Sequence, residues 1–359
     1  MAYTTIDDGS EYFTTTLYTG NGSSIDVTNS ANSGNFAPDW LWIKERSATS
    51  SHIIFDTNRP VSGGFAKHLH ANETAAESGD SSELTAFGSN GFSYGSDGKG
   101  NQSSQTYVAW QWKANGGTTT TNDASATSVG TIDSVYQANT TAGFSIVTYT
   151  GTGSNGTIAH GLGVTPKVVL IKNRDRSESW RWGDTINESG FGKQLLLNDT
   201  DAIATDNNTF NDTNPTSTVF SVGTRNATNA NTEKHVAYCF AEKQGYSKFG
   251  SYTGNGDADG AFVYTGFKPA WVLIKVTSTT EDWWILDNTR DDDNPLRKML
   301  YASGNAAEID TADEMDFLSN GFKLRRSTTG RNGSGASYIY MAFAEHPFVS
   351  SKGVPVTAR

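Results

Sequence analysis

Short runs in which apolar and polar residues alternate recur along this chain, separated by clusters of Gly, Asn, Ser and Asp. In the clearest run, Tyr107–Ala114, Val108, Trp110 and Trp112 fall on one face of a strand and the small Ala109 falls on the other. Helical periodicity is nowhere sustained beyond about two turns. The pattern predicts an all-β protein of short antiparallel strands joined by long loops.

The same set of motifs occurs three times, at a spacing of roughly a hundred residues. Matching positions carry Tyr18, Tyr149 and Tyr252 before a Thr-Gly turn; Pro38, Pro166 and Pro269; Lys44, Lys172 and Lys275; and Asp56, Asp184 and Asp287. Each copy ends in one kind of alternating strand, and Trp110, Tyr238 and Met341 occupy matching places in it. We expect these three residues, together with Ile43, Ile171 and Ile274, to be inward-facing equivalents.

A unit of about a hundred residues can bury a core of its own. The sequence therefore predicts three tandem antiparallel β-sandwich domains, jelly-roll-like in topology. They are copy 1 (residues 1–116), copy 2 (143–245) and copy 3 (246–348). A flexible Thr/Ser/Gly-rich linker is predicted at 117–142 and a C-terminal tail at 349–359. Because no spacer separates copies 2 and 3 at Gly245, we expect those two to form a rigid pair and copy 1 to be separately placed.

Composition narrows the possible partners. The 359 residues carry a net charge of −11 and no basic stripe with interleaved aromatics, which argues against nucleic acid or an anionic membrane surface as a partner. The lone Cys239 lies on an apolar strand face and is interpreted as a core residue. No segment has the pattern of a signal peptide or a transmembrane span, so we expect assembly in a cytoplasm.

The recurring Lys and Asp residues have two interpretations. They form a charged pair in three sites, or each Lys snorkels at a strand end while each Asp caps the following turn through backbone amides. The sequence favours the second interpretation, because the motif recurs in every copy.

Candidate metal ligands are sparse. His68 and His70 are two residues apart and would share a strand face, but no third ligand stands near in sequence and the other copies have Gln194/Leu196 and Lys298/Leu300 there. The segments 255–260 and 291–293 are acidic and are interpreted as polar or solvated loops rather than Ca²⁺ sites. The sequence predicts no metal site and no cofactor.

Catalytic motifs are also missing from the sequence. It has no Gly-x-Ser-x-Gly elbow, phosphate-cradling loop or His-Glu-x-x-His helix. We therefore expect a protein that is not an enzyme.

Glycan binding is the alternative function that the sequence leaves open. The loop after the third strand of copy 2 contains Arg174, Arg176, Trp180 and Trp182, and the two Trp share a strand face. An exposed ring beside charged groups would suit a sugar. The competing interpretation, which the sequence favours, is that these rings fill a sandwich or an inter-domain seam. The same choice applies to Trp283 and Trp284.

Several phrases resemble those of a known family. They are Phe36–Lys44, Ile158–Lys172, Phe87–Phe92, Leu318–Phe322 and Tyr107–Ala114. Together they resemble repeated β-domains in virion structural proteins of bacteriophages, especially marine phages such as cyanophages, over about residues 12–348. That family is described only as structural, so the resemblance implies no catalytic residues.

The resemblance implies a non-enzymatic virion protein on the particle exterior, either a head decoration or a head/tail appendage, that acts through protein–protein contacts. Its expected partners are other capsid, neck or tail proteins and further copies of itself, and its expected location is the virion, after assembly in the host cytoplasm. The alternative is a receptor-binding tail-fibre protein that recognises a host surface glycan.

Overall fold

The computed structural model describes residues 3–29, 36–59, 66–187 and 190–355. Within these ranges the protein is all-β, and its sheets are antiparallel apart from one isolated bridge. The α-helices of the described chain are four-residue turns, at Gly98–Asn101, Ala124–Thr127, Asn226–Asn229 and Thr329–Asn332. No helix in these ranges is long and apolar enough to cross a membrane.

The strands of the three copies follow one order. Copy 1 contains β1 (Phe13–Thr19), β2 (Ile25–Thr28), β3 (Trp40–Glu45), β4 (Ile53–Asp56), β5 (Leu69–His70), β6 (Leu84–Gly88), β7 (Gly91–Tyr94) and β8 (Thr106–Trp112). The connecting segment contains β9 (Thr120–Asn122) and β10 (Ser134–Asn139). Copy 2 contains β11 (Phe144–Thr150), β12 (Gly156–Ala159), β13 (Val168–Asn173), β14 (Arg181–Asp184), β15 (Lys193–Leu196), β16 (Ala204–Thr205), β17 (Val219–Val222) and β18 (Lys234–Phe240). Copy 3 contains β19 (Ser247–Thr253), β20 (Phe262–Tyr264), β21 (Phe267–Val276), β22 (Trp284–Asp287), β23 (Leu296–Tyr301), β24 (Ile309–Leu318), β25 (Gly321–Leu324) and β26 (Ser337–Pro347).

Each copy has the same main sheet. Its strand order is β1-β8-β3-β4-β5 in copy 1, β11-β18-β13-β14-β15 in copy 2 and β19-β26-β21-β22-β23 in copy 3. The register is also the same, since Trp42 pairs with Trp110, Leu170 with Tyr238 and Leu273 with Met341. The repeated sequence therefore encodes one repeated pairing of strands.

A sandwich core lies on one face of each main sheet. In copy 1 the small sheet β2-β7-β6 supplies Phe92 and Leu84, which pack with Ile43 and Ile53 of the main sheet. Ile171 and Ile274 occupy the corresponding cores of copies 2 and 3. The predicted inward position of the three Ile residues is confirmed.

The opposite faces of the three main sheets meet in a single shared core. Trp40 of copy 1 contacts Tyr238 of copy 2 at 4.7 Å between ring centroids. Trp112 of copy 1 contacts Trp271 of copy 3 at 5.7 Å, and Phe240 of copy 2 contacts Phe343 of copy 3 at 6.1 Å. Trp110, Tyr238 and Met341 all point into this shared core. The expectation that copy 1 is separately placed is therefore wrong, because its aromatic face is covered by the other two copies.

The segment 117–142 differs from the flexible linker that its composition suggests. Strand β10 pairs with β11, and β9 pairs with β10, so this segment widens the main sheet of copy 2. Asn58 of copy 1 donates from Nδ2 to the carbonyl of Val135 at 2.8 Å. Threonine suits a half-exposed strand as well as it suits a linker, and composition alone does not separate the two. Residues 356–359 of the predicted tail lie outside the described residues.

Candidate functional site

Three seams join the copies in a closed ring, and each seam has the same two backbone hydrogen bonds. At seam 1/2, between copies 1 and 2, Glu77 N donates to Arg174 O at 2.8 Å and Glu178 N to Thr74 O at 2.9 Å. The equivalent bonds are Ile203 N to Thr277 O and Glu281 N to Thr200 O at seam 2/3, and Glu308 N to Arg46 O and Ser50 N to Asn305 O at seam 3/1. Donors and acceptors stand at matching positions of the repeat, so the seams are built alike.

An aromatic N–H strengthens every seam. Trp180 Nε1 donates to His70 O, Trp283 Nε1 to Leu196 O and His52 Nε2 to Tyr301 O, each at 2.8 Å. His52 can donate from Nε2 because its Nδ1 accepts from Trp42 Nε1. Burial lowers the pKa of His52 well below its ordinary value, which keeps the ring neutral.

The recurring aspartates end β4, β14 and β22 and cap the turns that follow. Asp56 Oδ1 accepts from the backbone amides of Asn58 and Arg59. Asp184 and Asp287 accept from the matching amides of their own turns. The predicted turn-capping role of the three residues is confirmed.

The second oxygen of each aspartate has a role that the sequence did not indicate. Asp56 Oδ2 accepts from the Tyr238 hydroxyl of copy 2 at 2.7 Å, and Asp287 Oδ2 accepts from Trp110 Nε1 of copy 1 at 3.0 Å. For Asp184, the residue of the neighbouring copy that corresponds to Tyr238 and Trp110 is Met341, whose side chain has no hydrogen-bond donor. Asp184 Oδ2 instead accepts from Trp182 Nε1 of its own copy at 2.9 Å.

Two of the seams also contain a buried chain of charges. At seam 1/2, Asp56 pairs with Arg59, Arg59 with Glu77, and Glu77 with Arg174 of copy 2, at N–O distances of 2.6, 3.2 and 2.7 Å. At seam 3/1 the chain is Asp287, Arg290, Glu308 and Arg46. Glu77 lies 18 residues after Arg59 and 97 residues before Arg174, so no local sequence pattern predicts its two ion pairs.

Seam 2/3 has neutral residues at the matching positions. Asn187 stands where the other seams have Arg59 and Arg290, Ile203 replaces the glutamate, and Thr277 replaces the second arginine. Asp184 accepts from Asn187 rather than from an arginine. Burial raises the pKa of Asp184 above its ordinary value, and its hydrogen bonds only partly offset this effect.

The recurring lysines do not snorkel, and that prediction is wrong. Lys44, Lys172 and Lys275 are fully buried, and each Nζ donates to backbone carbonyls. Lys275 Nζ reaches Thr200 O of copy 2 at 3.0 Å, so the seam itself covers the strand end. Burial lowers the pKa of all three lysines to about 8.

Two of the four residues predicted for glycan binding, Arg174 and Trp180, lie inside seam 1/2, and Trp182 lies in the shared core. Trp180 is fully buried, and Trp182 packs against Trp283 at 4.9 Å between ring centroids. Arg174 is buried in its pair with Glu77, while Arg176 is half-exposed and pairs with Glu233. The four residues do not form an exposed cluster, and neither Trp offers a ring face to a sugar. Trp283 and Trp284 are buried as well.

The exposed aromatic rings of the described chain lie elsewhere. Phe262 and Tyr264 are 45% and 55% exposed and share one face of β20 in copy 3. Phe262 pairs across the ladder with Lys323, which forms an ion pair with Asp259 at 2.7 Å. An exposed ring beside charged groups is the arrangement expected of a sugar platform, but the sequence did not distinguish these rings from core residues.

The acidic segments and the cysteine have structural roles. Asp257 N donates to Asn255 Oδ1 and Asp259 N to Asp257 Oδ1, which makes 255–260 the predicted polar turn. Asp291 Oδ2 accepts from the amides of Arg297 and Lys298. Cys239 is buried in the sandwich core of copy 2, as predicted.

One polar cluster is confined to copy 1. His68 Nδ1 contacts Glu83, while His68 Nε2 lies 3.1 Å from His70 Nε2 and 3.2 Å from the Ser78 hydroxyl. His70 Nδ1 lies 3.1 Å from His52 O. Sequence analysis identified the two histidines but missed Glu83 and Ser78, which a bend in the chain brings to them. No group of three or more His, Cys, Asp or Glu residues placed to hold a metal occurs in the described ranges.

Comparison with known proteins identifies one family. A family model described as Domain of unknown function (DUF7483) matches residues 8–347, which include all three copies. No curated protein matches the chain.

Proposed function

We propose that this protein, which belongs to the DUF7483 family, is a non-enzymatic structural component on the exterior of a bacteriophage particle. In this role it is a head decoration or a head/tail appendage that acts through protein–protein contacts. The observation that carries the proposal is the resemblance of its recurring phrases to repeated β-domains of virion structural proteins.

The use of the recurring residues supports a structural role. The aspartates cap turns and join copies, the lysines bond to backbone carbonyls, and the aromatics fill the shared core. A site shared by three copies would instead present its recurring polar groups to solvent. The repeat therefore serves to build one rigid body, and its outward surfaces are free to differ between copies.

The sandwich in each copy is, on this proposal, a jelly roll. A main sheet whose order is first, last, third, fourth and fifth strand faces smaller strands, of which the second pairs with the seventh in every copy. The chain therefore crosses repeatedly between the two sheets, as it does in the jelly rolls of capsid proteins. Partners of the same particle would contact several copies at once, so weak contacts would add through effective concentration.

Labelling of purified particles tests the proposal. An antibody fragment raised against the folded chain should decorate the head or tail exterior at regular positions in electron micrographs. Particles that lack the chain, while the infected cell lysate contains it, would overturn the proposal.

The exposed rings of β20 favour one alternative, a receptor-binding protein that holds a host glycan. The double variant F262S/Y264S should then enter particles normally but lose adsorption to host cells. The matched control L17S/V164S removes two exposed apolar side chains from copies 1 and 2. If F262S/Y264S adsorbs as well as the control, the receptor function is excluded for this surface.

A further inference from the structure

We propose that His68 and His70 of copy 1 bind one divalent transition-metal ion of the class that imidazole suits, such as Zn²⁺, Ni²⁺ or Cu²⁺. The inference is independent of the function proposed above and concerns one copy of the repeat only. It contradicts the sequence-based expectation that the chain has no metal site.

The two rings face each other through the same atom. His70 lies on β5 and His68 just before it, so their side chains project to one side of the chain. Their Nε2 atoms are 3.1 Å apart. Two Zn–N bonds of about 2.0–2.1 Å at a tetrahedral angle would place the nitrogens about 3.3–3.4 Å apart. The observed separation is therefore close to that of two imidazoles on one ion.

Counting the protons shows that something must lie between the rings. His70 Nδ1 contacts a backbone carbonyl, His52 O, which can only accept, so this nitrogen carries the hydrogen. His68 Nδ1 contacts the carboxylate of Glu83 and carries a hydrogen for the same reason. In two neutral rings both Nε2 atoms then present lone pairs, and two lone pairs repel at 3.1 Å. A metal cation on the two nitrogens resolves the conflict; the competing resolution is a proton shared between them, and the test below separates the two.

The outer contacts are those that metal-binding histidines make. A ligating histidine usually donates its other N–H to a carboxylate or backbone carbonyl, which fixes the tautomer and the ring orientation. Glu83 and His52 O supply one of each kind.

The remaining ligand positions open toward solvent. The Ser78 hydroxyl lies 3.2 Å from His68 Nε2, and Ser78 is exposed, so the site borders solvent on this side. The acidic residues that face the site are Glu83, which pairs with Lys99, Glu73, which lies near His70, and Asp80, which lies near His68. Lys99 is held by Glu83 and Asp97, and its positive charge acts on His70 from there.

The other copies show the same fold without the ligands. Gln194 and Leu196 stand at these positions in copy 2, and Gln194 Nε2 donates to the buried Asp206. Copy 3 has Lys298 and Leu300, and Lys298 pairs with Asp291. The backbone therefore does not need the two imidazoles, and copy 2 provides residues that replace them without disturbing the strand pairing.

Isothermal titration of the chelator-treated full chain with Zn²⁺, Ni²⁺ and Cu²⁺ tests the site. We expect one saturable ion per chain, with Cu²⁺ bound most tightly, and an electron paramagnetic resonance spectrum of the Cu²⁺ form that shows two nitrogen ligands. H70L, which copies Leu196 of copy 2, should abolish this binding. The control H346Q removes a half-exposed histidine outside the cluster and should leave it unchanged.

A second pair of variants keeps the test valid where H70L fails to fold. H68Q copies Gln194 and should also abolish binding, while E83Q should weaken it roughly 10- to 100-fold, as for other groups that orient a ligand. Equal binding by wild type and H68Q, or no saturable binding by wild type, would overturn the proposal. A far-downfield proton resonance from the two rings that persists on adding metal would do the same, because it would show a shared proton instead.

Discussion

Seam 1/2 and seam 2/3 have the same backbone hydrogen bonds, but the side chains at matching positions are charged in the first and mostly neutral in the second. Both have two backbone hydrogen bonds and a tryptophan N–H that donates to a carbonyl of the neighbouring copy. Seam 1/2 adds four charged residues in a buried chain, while seam 2/3 has an asparagine, an isoleucine and a threonine at three of those positions. The backbone bonds and the aromatic donors therefore set how copies meet, and the charges are an addition.

The difference also shows how a buried carboxylate is tolerated. Asp56 has an arginine beside it, so its charge is paired inside the protein. Asp184 has only neutral donors, and burial raises its pKa. Buried ion pairs are often replaceable as a set, but removing one member leaves an uncompensated charge. The two seams are natural examples of the complete set and of its replacement.

The largest effect should come from breaking the charged seam at one residue. E77A leaves Arg59 and Arg174 buried without their shared carboxylate, so we expect a loss of about 3–5 kcal/mol in the free energy of unfolding. The matched control I203A, at the same position of seam 2/3, removes only half-buried apolar contacts and should cost about 1–2 kcal/mol. Denaturant titration measures both. Equal losses would show that the charges stabilise no more than an isoleucine does.

Acid should weaken the same seam. Burial works to raise the pKa of Glu77, but Arg174 and Arg59 together lower it from 4.5 to about 2. A lowered pKa contributes stability above the unfolded-state value, and this contribution is lost as the pH falls from about 4.5 toward 2. The loss should be roughly 3 kcal/mol. Unfolding free energies of wild type and E77Q, compared from pH 6 to pH 2.5, should converge at the acid end; parallel curves would contradict the assignment.

Replacing the charged residues of seam 1/2 by those of seam 2/3 should lower the free energy of unfolding much less than E77A alone does. The triple variant R59N/E77I/R174T gives seam 1/2 the residues of seam 2/3. It removes three of the four buried charges together and leaves Asp56, like Asp184, without an arginine beside it. We expect a loss below about 2 kcal/mol, clearly smaller than that of E77A. Calorimetry of the two variants side by side decides the point. A triple variant less stable than E77A would show that the seams are not interchangeable.

The smallest effect is expected at Asp184. D184N keeps an oxygen for the turn amides and loses the acceptor for Trp182 Nε1, which should cost about 1 kcal/mol or less at pH 7. Because the folded pKa of Asp184 is raised, its contribution is present at low pH and is lost as the pH rises through that folded value. D184N should therefore gain stability relative to wild type between pH 3 and pH 7. A growing deficit over that range would reverse the sign and contradict the argument.

The sequence predicted local structure well because local structure depends on local pattern. Alternation in Tyr107–Ala114 indicated the closing strand, and the recurrence of Asp56 indicated a turn cap. The error concerned the faces of the strands. Small residues such as Ala109 do not show whether their face meets solvent or a second sheet, and both faces of β8 are buried. Only the packing of distant copies shows this, so separate placement of copy 1 was wrong.

The environments of the candidate site residues were harder to predict, because the residues that contact them belong to other copies of the repeat. Arg174 and Trp180 had the composition of a glycan site, but Glu77 and His70 of copy 1 bury them. Their partners lie about a hundred residues earlier in the chain, and no spacing rule connects them. In contrast, Glu83 lies within the copy that contains His68, and only the bend after β5 brings the two together.

Closure of the ring has a consequence for synthesis of the chain on the ribosome. The face of copy 1 that carries Trp110 and Trp112 is covered by Trp271 and Phe343 of copy 3, which emerge more than 150 residues later. An exposed aromatic face on a nascent chain favours aggregation until its long-range partner arrives. Translation at about 5–20 residues per second separates Trp112 from Trp271 by roughly 8–30 seconds, and Phe343 follows later still. Copy 3, which is synthesised last, therefore completes the burial of the aromatic face of copy 1.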